Sequence, residues 1–195
     1  MDKTTLDYYS KNTDMLIERY DSVDMSSLHS KLKEYISSND YVLDIGFGSG
    51  RELKYLKTLT ENIYGIDPTD KFIENIKKDI FFKNKVFKGK LPKLDIPIDL
   101  KYNVITSIAV IMHLSKQYHK ESLLSIKKYL KTNGYFIVSY STEKREDERF
   151  FESMNHIEFS DLCKSVNLKE VYSSTNTDSL NRDIDWVIQI FQKTD

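Results

Sequence analysis

The spacing of apolar residues changes at about residue 40 of the chain. Before that point apolar residues recur every three or four positions within TLDYYSKNTDMLIERY and again within MSSLHSKLKEYI. This spacing predicts amphipathic helices in the first 38 residues. The positions that set the helical spacing are Leu6, Tyr9, Met15, Leu16, Leu28, Leu32 and Ile36.

Beyond residue 40 short, continuous apolar runs alternate with helical stretches. Runs such as YVLDIG are typical of strands buried on both faces of a parallel sheet, and the polar stretches between them keep a helical spacing. The predicted strands are 41–46, 62–67, 85–89, 102–111, 135–141, 168–176 and 186–193, and the predicted helices are 51–59, 69–80, 115–131 and 159–166.

This alternation predicts an α/β fold. A helix between successive strands implies right-handed crossovers and a mostly parallel sheet covered on both faces. The last two predicted strands have no helix between them, so we expect them to pair antiparallel. The pattern divides the chain into an N-terminal helical cap (residues 1–38) and a larger unit (residues 39–195), which together form one compact domain.

Composition narrows the classes of partner. The 195-residue chain has 29 basic and 30 acidic residues, so its charge does not indicate a nucleic-acid or lipid-surface partner. Its single cysteine, Cys163, excludes an internal disulfide or a thiolate metal cluster and is expected in the core, and no metal site is predicted. No apolar run reaches the roughly 20 residues that span a bilayer, and the first residues do not resemble a signal peptide, so we expect a cytoplasmic protein.

The stretch VLDIGFGSGRE (residues 42–52) carries the main chemical information. Glycines at 46, 48 and 50 allow a ligand to approach the backbone. A dinucleotide-binding loop would need glycine at position 51, which is Arg51, and no phosphate-binding Gly-Lys-Ser/Thr follows. Asp44 suits an ammonium group, or a backbone turn that needs an acceptor, better than a pyrophosphate. The loop therefore favours S-adenosylmethionine, which has an ammonium, a sulfonium and no phosphate.

Asp67 supports a nucleoside ligand. It ends the second predicted strand, 21 positions after Gly46, where a carboxylate can accept both hydroxyls of a ribose. NAD also carries a ribose, so Asp67 alone does not separate the two cofactors. The alternative is that Asp67 caps the helix that begins after Pro68.

These residues resemble the class I S-adenosylmethionine-dependent methyltransferases. VLDIGFGSG is similar to the family's first motif, YGIDPTDKFI to the second and YNVITSIAVIMHL to the fourth, and the likeness covers nearly all of residues 40–193. The resemblance implies a Rossmann-like, doubly wound sheet of seven strands in the order 3-2-1-4-5-7-6, with strand 7 antiparallel. It also implies S-adenosyl-L-methionine as cofactor, bound by Asp44, Gly46, Gly48, Gly50, Asp67, Pro68, Leu91 and Ile108.

The N-terminal stretch YYSKNTDMLIERYDSVDMSSL resembles small bacterial members of this class, in which a leading helical segment closes over the cofactor. The resemblance implies cofactor contacts from Tyr9 and Arg19 and a substrate-side contact from Tyr20. Tyr9 could equally be a core residue of its helix. One departure is that Gly89-Lys90-Leu91 offers no carboxylate to the adenine amine, which leaves a backbone contact near Leu91.

The methyl acceptor is less well indicated. His113, just after the fourth predicted strand, is a candidate general base for an O–H or N–H acceptor, or a histidine packed under the cofactor and bonded to backbone. Arg182 lies in the turn between the last two strands, where it could bind an anionic substrate or simply belong to a charged turn. His119 lies in sequence that looks exposed, and no chemical role is expected for it.

Three functions remain open at this point. The first is a methyltransferase that acts on a small molecule by direct in-line transfer, a reaction in which the enzyme mainly positions its reactants. The second is a methyltransferase of RNA, DNA or protein that docks through a partner. The third is a module that binds S-adenosylmethionine without transferring its methyl group. The oligomeric state is not indicated.

Overall fold

A computed structural model of the protein describes residues 2–145, 147–177 and 184–195. Within these residues seven strands form one sheet in the order β3-β2-β1-β4-β5-β7-β6. Neighbouring strands are parallel except around β7, which is antiparallel to both β5 and β6. The predicted strand order and the antiparallel strand are confirmed. The strands are β1 Val42–Ile45, β2 Ile63–Asp67, β3 Val86–Lys88, β4 Tyr102–Ile108, β5 Leu130–Ser141, β6 Leu168–Thr177 and β7 Asp185–Lys193.

The described helices overlap the predicted ones, but those predicted at 51–59, 69–80 and 115–131 are shorter, and β5 begins at Leu130 inside the last of these segments. The N-terminal cap also differs from the prediction. The continuous helical pattern of residues 5–20 is divided at Asn12 into two helices, α1 and α2. The side chain of Asn12 donates to the carbonyl of Tyr8 and that of Thr13 to the carbonyl of Tyr9, and such bonds compete with a regular helix. The helices are α1 Lys3–Lys11, α2 Thr13–Asp21, α3 Ser26–Tyr35, α4 Arg51–Leu56, α5 Asp70–Ile76, α6 His119–Tyr129 and α7 His156–Lys164.

Two hydrophobic layers cover the sheet. One layer joins the cap to α4 and α5 and includes Leu16, Leu32 and Leu53, and the other packs α6 and α7 on the opposite face. Of the apolar positions predicted for the cap, Met15 is half exposed, so its assignment to the buried face was wrong. Cys163 is buried in the second layer, as predicted.

His119 corrects another expectation. It is buried, and its Nε2 atom lies 2.9 Å from the carbonyl oxygen of Leu114, to which it donates. The histidine begins α6 and turns inward against the ring of Phe159, so its exposed assignment was wrong. No helix in the described part of the chain is long and apolar enough to cross a bilayer.

Candidate active site

A cavity of about 690 Å³ lies beyond the carboxyl ends of β1, β2 and β4. This is the edge at which open α/β sheets bind ligands, since the crossovers leave a crevice between loops there. The N-terminal cap lines part of the cavity, and the segment that connects β5 to α7 lines another part.

The glycine loop after β1 has a backbone that requires glycine. Gly46, Gly48 and Gly50 have φ values of +71°, +53° and +81°, which side chains rarely adopt. A Cβ atom on Gly46 would lie 2.5 Å from a methyl group of Val110. Gly46 and Gly48 line the cavity, whereas Gly50 does not and packs against Ile76.

Asp67 lines the cavity and ties two loops together. Its Oδ2 atom accepts a hydrogen bond from the backbone N–H of Gly48 at 3.0 Å, and its Oδ1 atom accepts one from Thr69 at 2.8 Å. Burial raises the pKa of Asp67 to about 6, although both backbone donors oppose this shift. The N-cap of the next helix is Thr69 rather than Asp67, so the capping role considered as the alternative for Asp67 is not what the structure shows, and the carboxylate faces the cavity.

Asp44 is placed behind the loop and does not line the cavity. Its carboxylate is buried and accepts a hydrogen bond from the hydroxyl of Thr106 on β4 at 2.7 Å. Burial raises the pKa of Asp44 to about 7, and the nearby Glu52 carboxylate adds to this effect. Asp44 thus lies beneath the glycine loop rather than beside the open cavity.

The cap is attached to the glycine loop by polar contacts. Arg51 donates from Nη1 to the carbonyl of Tyr20 at 2.6 Å and from Nε to the buried carboxylate of Glu52 at 2.7 Å. Ser49 donates to the carboxylate of Asp21 at 2.7 Å. The residue that breaks the dinucleotide pattern, Arg51, therefore holds the end of α2 against the loop. Arg19 and Tyr20 both line the cavity.

His113 and Tyr9 form a hydrogen-bonded pair that also lines the cavity. The Tyr9 hydroxyl lies 2.9 Å from Nε2 of His113, and Nδ1 of the same ring lies 2.7 Å from the carbonyl oxygen of Phe150. A carbonyl oxygen only accepts, so Nδ1 carries the proton and Nε2 accepts from Tyr9. Burial lowers the pKa of His113 to about 4. The sequence-based alternatives for His113, a base or a buried backbone-bonded ring, are thus not exclusive.

The segment between β5 and α7 brings residues to the cavity that were not predicted from the sequence. Arg149 is largely buried and forms two hydrogen bonds to the carboxylate of Asp147, at 2.9 and 2.7 Å. Its guanidinium lies 5.0 Å from the ring centre of Phe151. This segment has the highly charged sequence EKREDERF, which is typical of a solvated loop and gave no signal of burial. The additional cavity residues from this segment are Arg145, Arg149 and Phe151.

The remaining predicted residues are placed as follows. Pro68, Leu91 and Ile108 line the cavity. Arg182 lies outside the described residues. The described residues contain no cluster of histidine, cysteine and carboxylate side chains suited to a metal ion.

Comparison with known proteins identifies the family. A family model described as a methyltransferase domain matches residues 17–183. The fold is similar to 1,6-didemethyltoxoflavin-N1-methyltransferase from Burkholderia thailandensis, solved with 1,6-didemethyltoxoflavin and S-adenosylhomocysteine, with a TM-score of 0.79, 14% identity and coverage of 98% of this chain and 88% of that one. It is also similar to a TehB-like S-adenosylmethionine-dependent methyltransferase from Corynebacterium glutamicum, with a TM-score of 0.73, 16% identity and coverage of 96% and 100%.

Strand order and glycine loop together define the class I S-adenosylmethionine-dependent methyltransferase fold. The chain belongs to the methyltransferase domain family and is a methyltransferase of this class.

Proposed function

We propose that the protein transfers a methyl group from S-adenosylmethionine to a small-molecule acceptor that is held in the cavity described above. The observation that carries this proposal is a single cavity with the glycine loop and Asp67 at one side and Tyr9, His113 and Phe151 at another. Its volume of about 690 Å³ falls within the range of roughly 300–1,000 Å³ that small-molecule sites occupy.

The residues at the loop side fit the cofactor. Asp67 presents a buried carboxylate at the position where a ribose is bound in sheets of this type. Gly46 and Gly48 lack the side chains that would keep a ligand from the backbone. Arg19 supplies a cation suited to the carboxylate of the cofactor's amino-acid portion. In this proposal Leu91 and Ile108 contact the adenine ring, Pro68 contacts the nucleoside, and Asp44 and Gly50 support the loop from behind.

When bound, S-adenosylmethionine supplies a methyl group on a positively charged sulfur. The protein's own contribution is to orient the acceptor and to keep water away from the reacting atoms. The cavity is also lined by the apolar side chains of Met112, Leu114 and Phe151, which exclude water and favour an acceptor with apolar surface. Alignment of this kind gives effective molarities of roughly 10⁵ M or more without a covalent intermediate.

The N-terminal cap covers the cavity, and this cover supports the proposal of a small-molecule acceptor. Residues of α1 and α2, together with residues 23–25 and the start of α3, line it from the cap side. A macromolecular acceptor would have to present a single extended group beneath these helices. The neighbouring fold from Burkholderia thailandensis was solved with a small heterocyclic compound, which agrees with a cavity of this kind.

Calorimetry with S-adenosylmethionine and S-adenosylhomocysteine tests the cofactor half of the proposal. We expect Asp67→Ala to weaken binding at least tenfold, since a charge-assisted hydrogen bond contributes roughly 1.5–3 kcal/mol. Asp70→Ala is the matched control, because Asp70 is exposed and pairs with Lys88 at the surface. If the unmodified protein binds neither ligand, the proposed function is wrong.

The acceptor half is tested by transfer of a labelled methyl group into a cell extract that is then separated by size. Label in the small-molecule fraction supports the proposal. Label confined to RNA, DNA or protein would replace it with the macromolecular alternative. Tight cofactor binding without any transfer would favour a binding module.

A further inference from the structure

We propose that the Tyr9 hydroxyl receives the acceptor's proton while its own proton passes to His113, and that the acceptor therefore carries a hydroxyl or a conjugated N–H group. This inference rests on the proposed methyl transfer to a small molecule and assigns the group that deals with the acceptor's proton. It makes Tyr9 a catalytic residue and His113 a residue that acts through Tyr9.

Geometry sets the direction of the relay. The carbonyl of Phe150 fixes the proton of His113 on Nδ1, at 2.7 Å, so that Nε2 is left as an acceptor. The only proton on the Tyr9 hydroxyl then points to Nε2, at 2.9 Å. The Arg149 guanidinium and the Tyr20 hydroxyl also interact with the Tyr9 hydroxyl, so a substrate approaches the lone pairs of the Tyr9 oxygen beside these two groups. A substrate that hydrogen-bonds to this oxygen must therefore donate.

Access to His113 also favours a relay. Only 2% of the His113 surface is exposed, and Phe151 packs on its ring with centres 4.5 Å apart. Tyr9 is more exposed than His113, although both residues line the cavity. The acceptor thus meets the tyrosine hydroxyl, and the histidine nitrogen lies behind it.

Burial keeps both members of the pair neutral. Burial raises the pKa of Tyr9 well above its ordinary value, as does Tyr20, while the Arg149 guanidinium opposes the shift. Burial also lowers the pKa of His113 to about 4, with Arg149 and Arg145 adding to this shift and Asp147 opposing it. Neither a phenolate nor an imidazolium is therefore present before the acceptor reacts at neutral pH.

The proton balance of the step is complete within the named groups. A lone pair on the acceptor atom forms the new bond to the methyl carbon, and the electron pair of the broken carbon–sulfur bond stays on sulfur. The acceptor's proton moves to the oxygen of Tyr9 as the Tyr9 proton moves to Nε2 of His113. His113 becomes an imidazolium that still donates from Nδ1 to Phe150, and it returns its proton to solvent after product release.

Because His113 is a weak base, the relay assists only acceptors whose proton becomes strongly acidic during methyl transfer. Attack on a methyl group places positive charge on the attacking atom, which makes the proton of a hydroxyl or a conjugated N–H group strongly acidic. A histidine with a pKa of about 4 can accept such a proton. A methylated aliphatic amine has a pKa of about 10 and would keep its proton, so the relay gives no assistance to amines of that kind.

NMR of protein with ¹⁵N-labelled histidine tests the relay without requiring any activity. The chain has four histidines, and His113→Gln assigns the relevant signals. We expect a neutral ring protonated at Nδ1 throughout pH 5.5–8, and a rise in the pKa of His113 in Tyr9→Phe, because the hydroxyl that stabilised the neutral ring is removed. Tyr8→Phe, on the same helix but outside the cavity, should leave the signals unchanged. A charged ring at pH 6, or protonation at Nε2, would overturn the proposal.

Rates of label transfer into the small-molecule fraction of an extract provide the second test. Tyr9→Phe and His113→Gln should each lower kcat about a hundredfold, a typical contribution of acid–base catalysis, with KM nearly unchanged. The double variant should be no slower than either single variant, since the two residues act as one unit. Tyr8→Phe should retain full activity.

The outcomes of the two proposals are separable. Calorimetric binding of S-adenosylhomocysteine by Tyr9→Phe shows that the variant is folded. No transfer by the unmodified protein contradicts the proposed function, while the NMR experiment still decides the relay. Equal kcat in Tyr9→Phe and the unmodified protein, or a labelled product that is an N-methylated aliphatic amine, would contradict the relay alone.

Discussion

The carboxylate of Asp67 accepts a hydrogen bond at 3.0 Å from the backbone N–H of Gly48, 19 positions earlier in the chain. The contact joins the loop after β1 to the end of β2, so the two segments that would hold the cofactor share one hydrogen bond. A change at either residue therefore alters both segments.

The protonation of Asp67 should control affinity for S-adenosylmethionine. Its pKa is about 6 and the carboxylate must be ionised to accept two ribose hydroxyls, so binding should weaken as the pH falls below 6, by up to roughly tenfold per unit. Asp67→Asn should bind weakly and without this slope. Calorimetry at pH 5 and 7.5 measures both, and equal affinity of the unmodified protein at the two pH values would contradict the assignment.

Asp44→Asn should stabilise the protein while weakening cofactor binding. The pKa of Asp44 rises from 3.8 to about 7 on folding, so the folded state binds its proton more tightly than the unfolded state does. The resulting cost is fully present above pH 7 and disappears as the pH falls to about 4, and it amounts to on the order of 4 kcal/mol. Chemical denaturation at pH 8 should show greater stability for Asp44→Asn.

Thr106→Val should change the stability of the protein in the opposite direction to Asp44→Asn. It removes the hydroxyl that donates to the carboxylate at 2.7 Å, so the ionised acid loses its partner. Stability should fall, and it should fall more at pH 8 than at pH 5. If Asp44→Asn and Thr106→Val change stability in the same direction at pH 8, Asp44 is not a buried destabilising charge.

Gly50→Ala should destabilise the fold by roughly 1–3 kcal/mol. The backbone at Gly50 has φ +81°, and an added Cβ would collide with the Cδ1 atom of Ile76. Gly89→Ala is the control, since its nearest neighbours would be 3.4 Å away on Ile66, and its cost should be below about 1 kcal/mol. Thermal unfolding compares the two, and adding Ile76→Ala to Gly50→Ala should fail to restore stability, because the backbone strain remains.

Arg51→Ala should loosen the cap. It removes the donor to the Tyr20 carbonyl and leaves the buried carboxylate of Glu52 without its closest cation. We expect a loss of roughly 1.5–3 kcal/mol and faster amide exchange in α2. Lys54→Ala removes an exposed pair with Asp21 and should change stability by less than about 1 kcal/mol. Unchanged exchange in α2 would show that the cap is held by its apolar contacts.

Much of the fold can be predicted from the sequence because it follows from the spacing of apolar residues along the chain. The change from helical spacing to continuous apolar runs fixes the order of elements, and a parallel sheet then places Gly46, Asp67 and Ile108 at one edge. These residues lie at strand ends, where position along the chain determines position in space.

The other side of the cavity depends on contacts that the sequence pattern does not encode. Tyr9 and His113 are 104 positions apart, and Arg149 lies in a charged segment that has no strand or helix period. The break at Asn12 results from side-chain hydrogen bonds that compete with the helix, and the burial of His119 results from a bond to a neighbouring carbonyl. The contact between Tyr9 and His113 is a tertiary interaction, whereas the bonds of Asn12 and His119 are local bonds to backbone carbonyls that the hydrophobic spacing does not reveal.

The hydrogen bond that the backbone N–H of Phe150 donates to Thr5 spans 145 positions. At a synthesis rate of roughly 5–20 residues per second, α1 leaves the ribosome on the order of ten seconds before the segment that anchors it. Until Phe150 is synthesised the cap lacks this partner, although His113 precedes it in the chain. The acceptor side of the cavity can therefore assemble only after the glycine loop has been synthesised, and the sheet is completed later still by β7, so a nascent chain has its cofactor loop well before it can methylate anything.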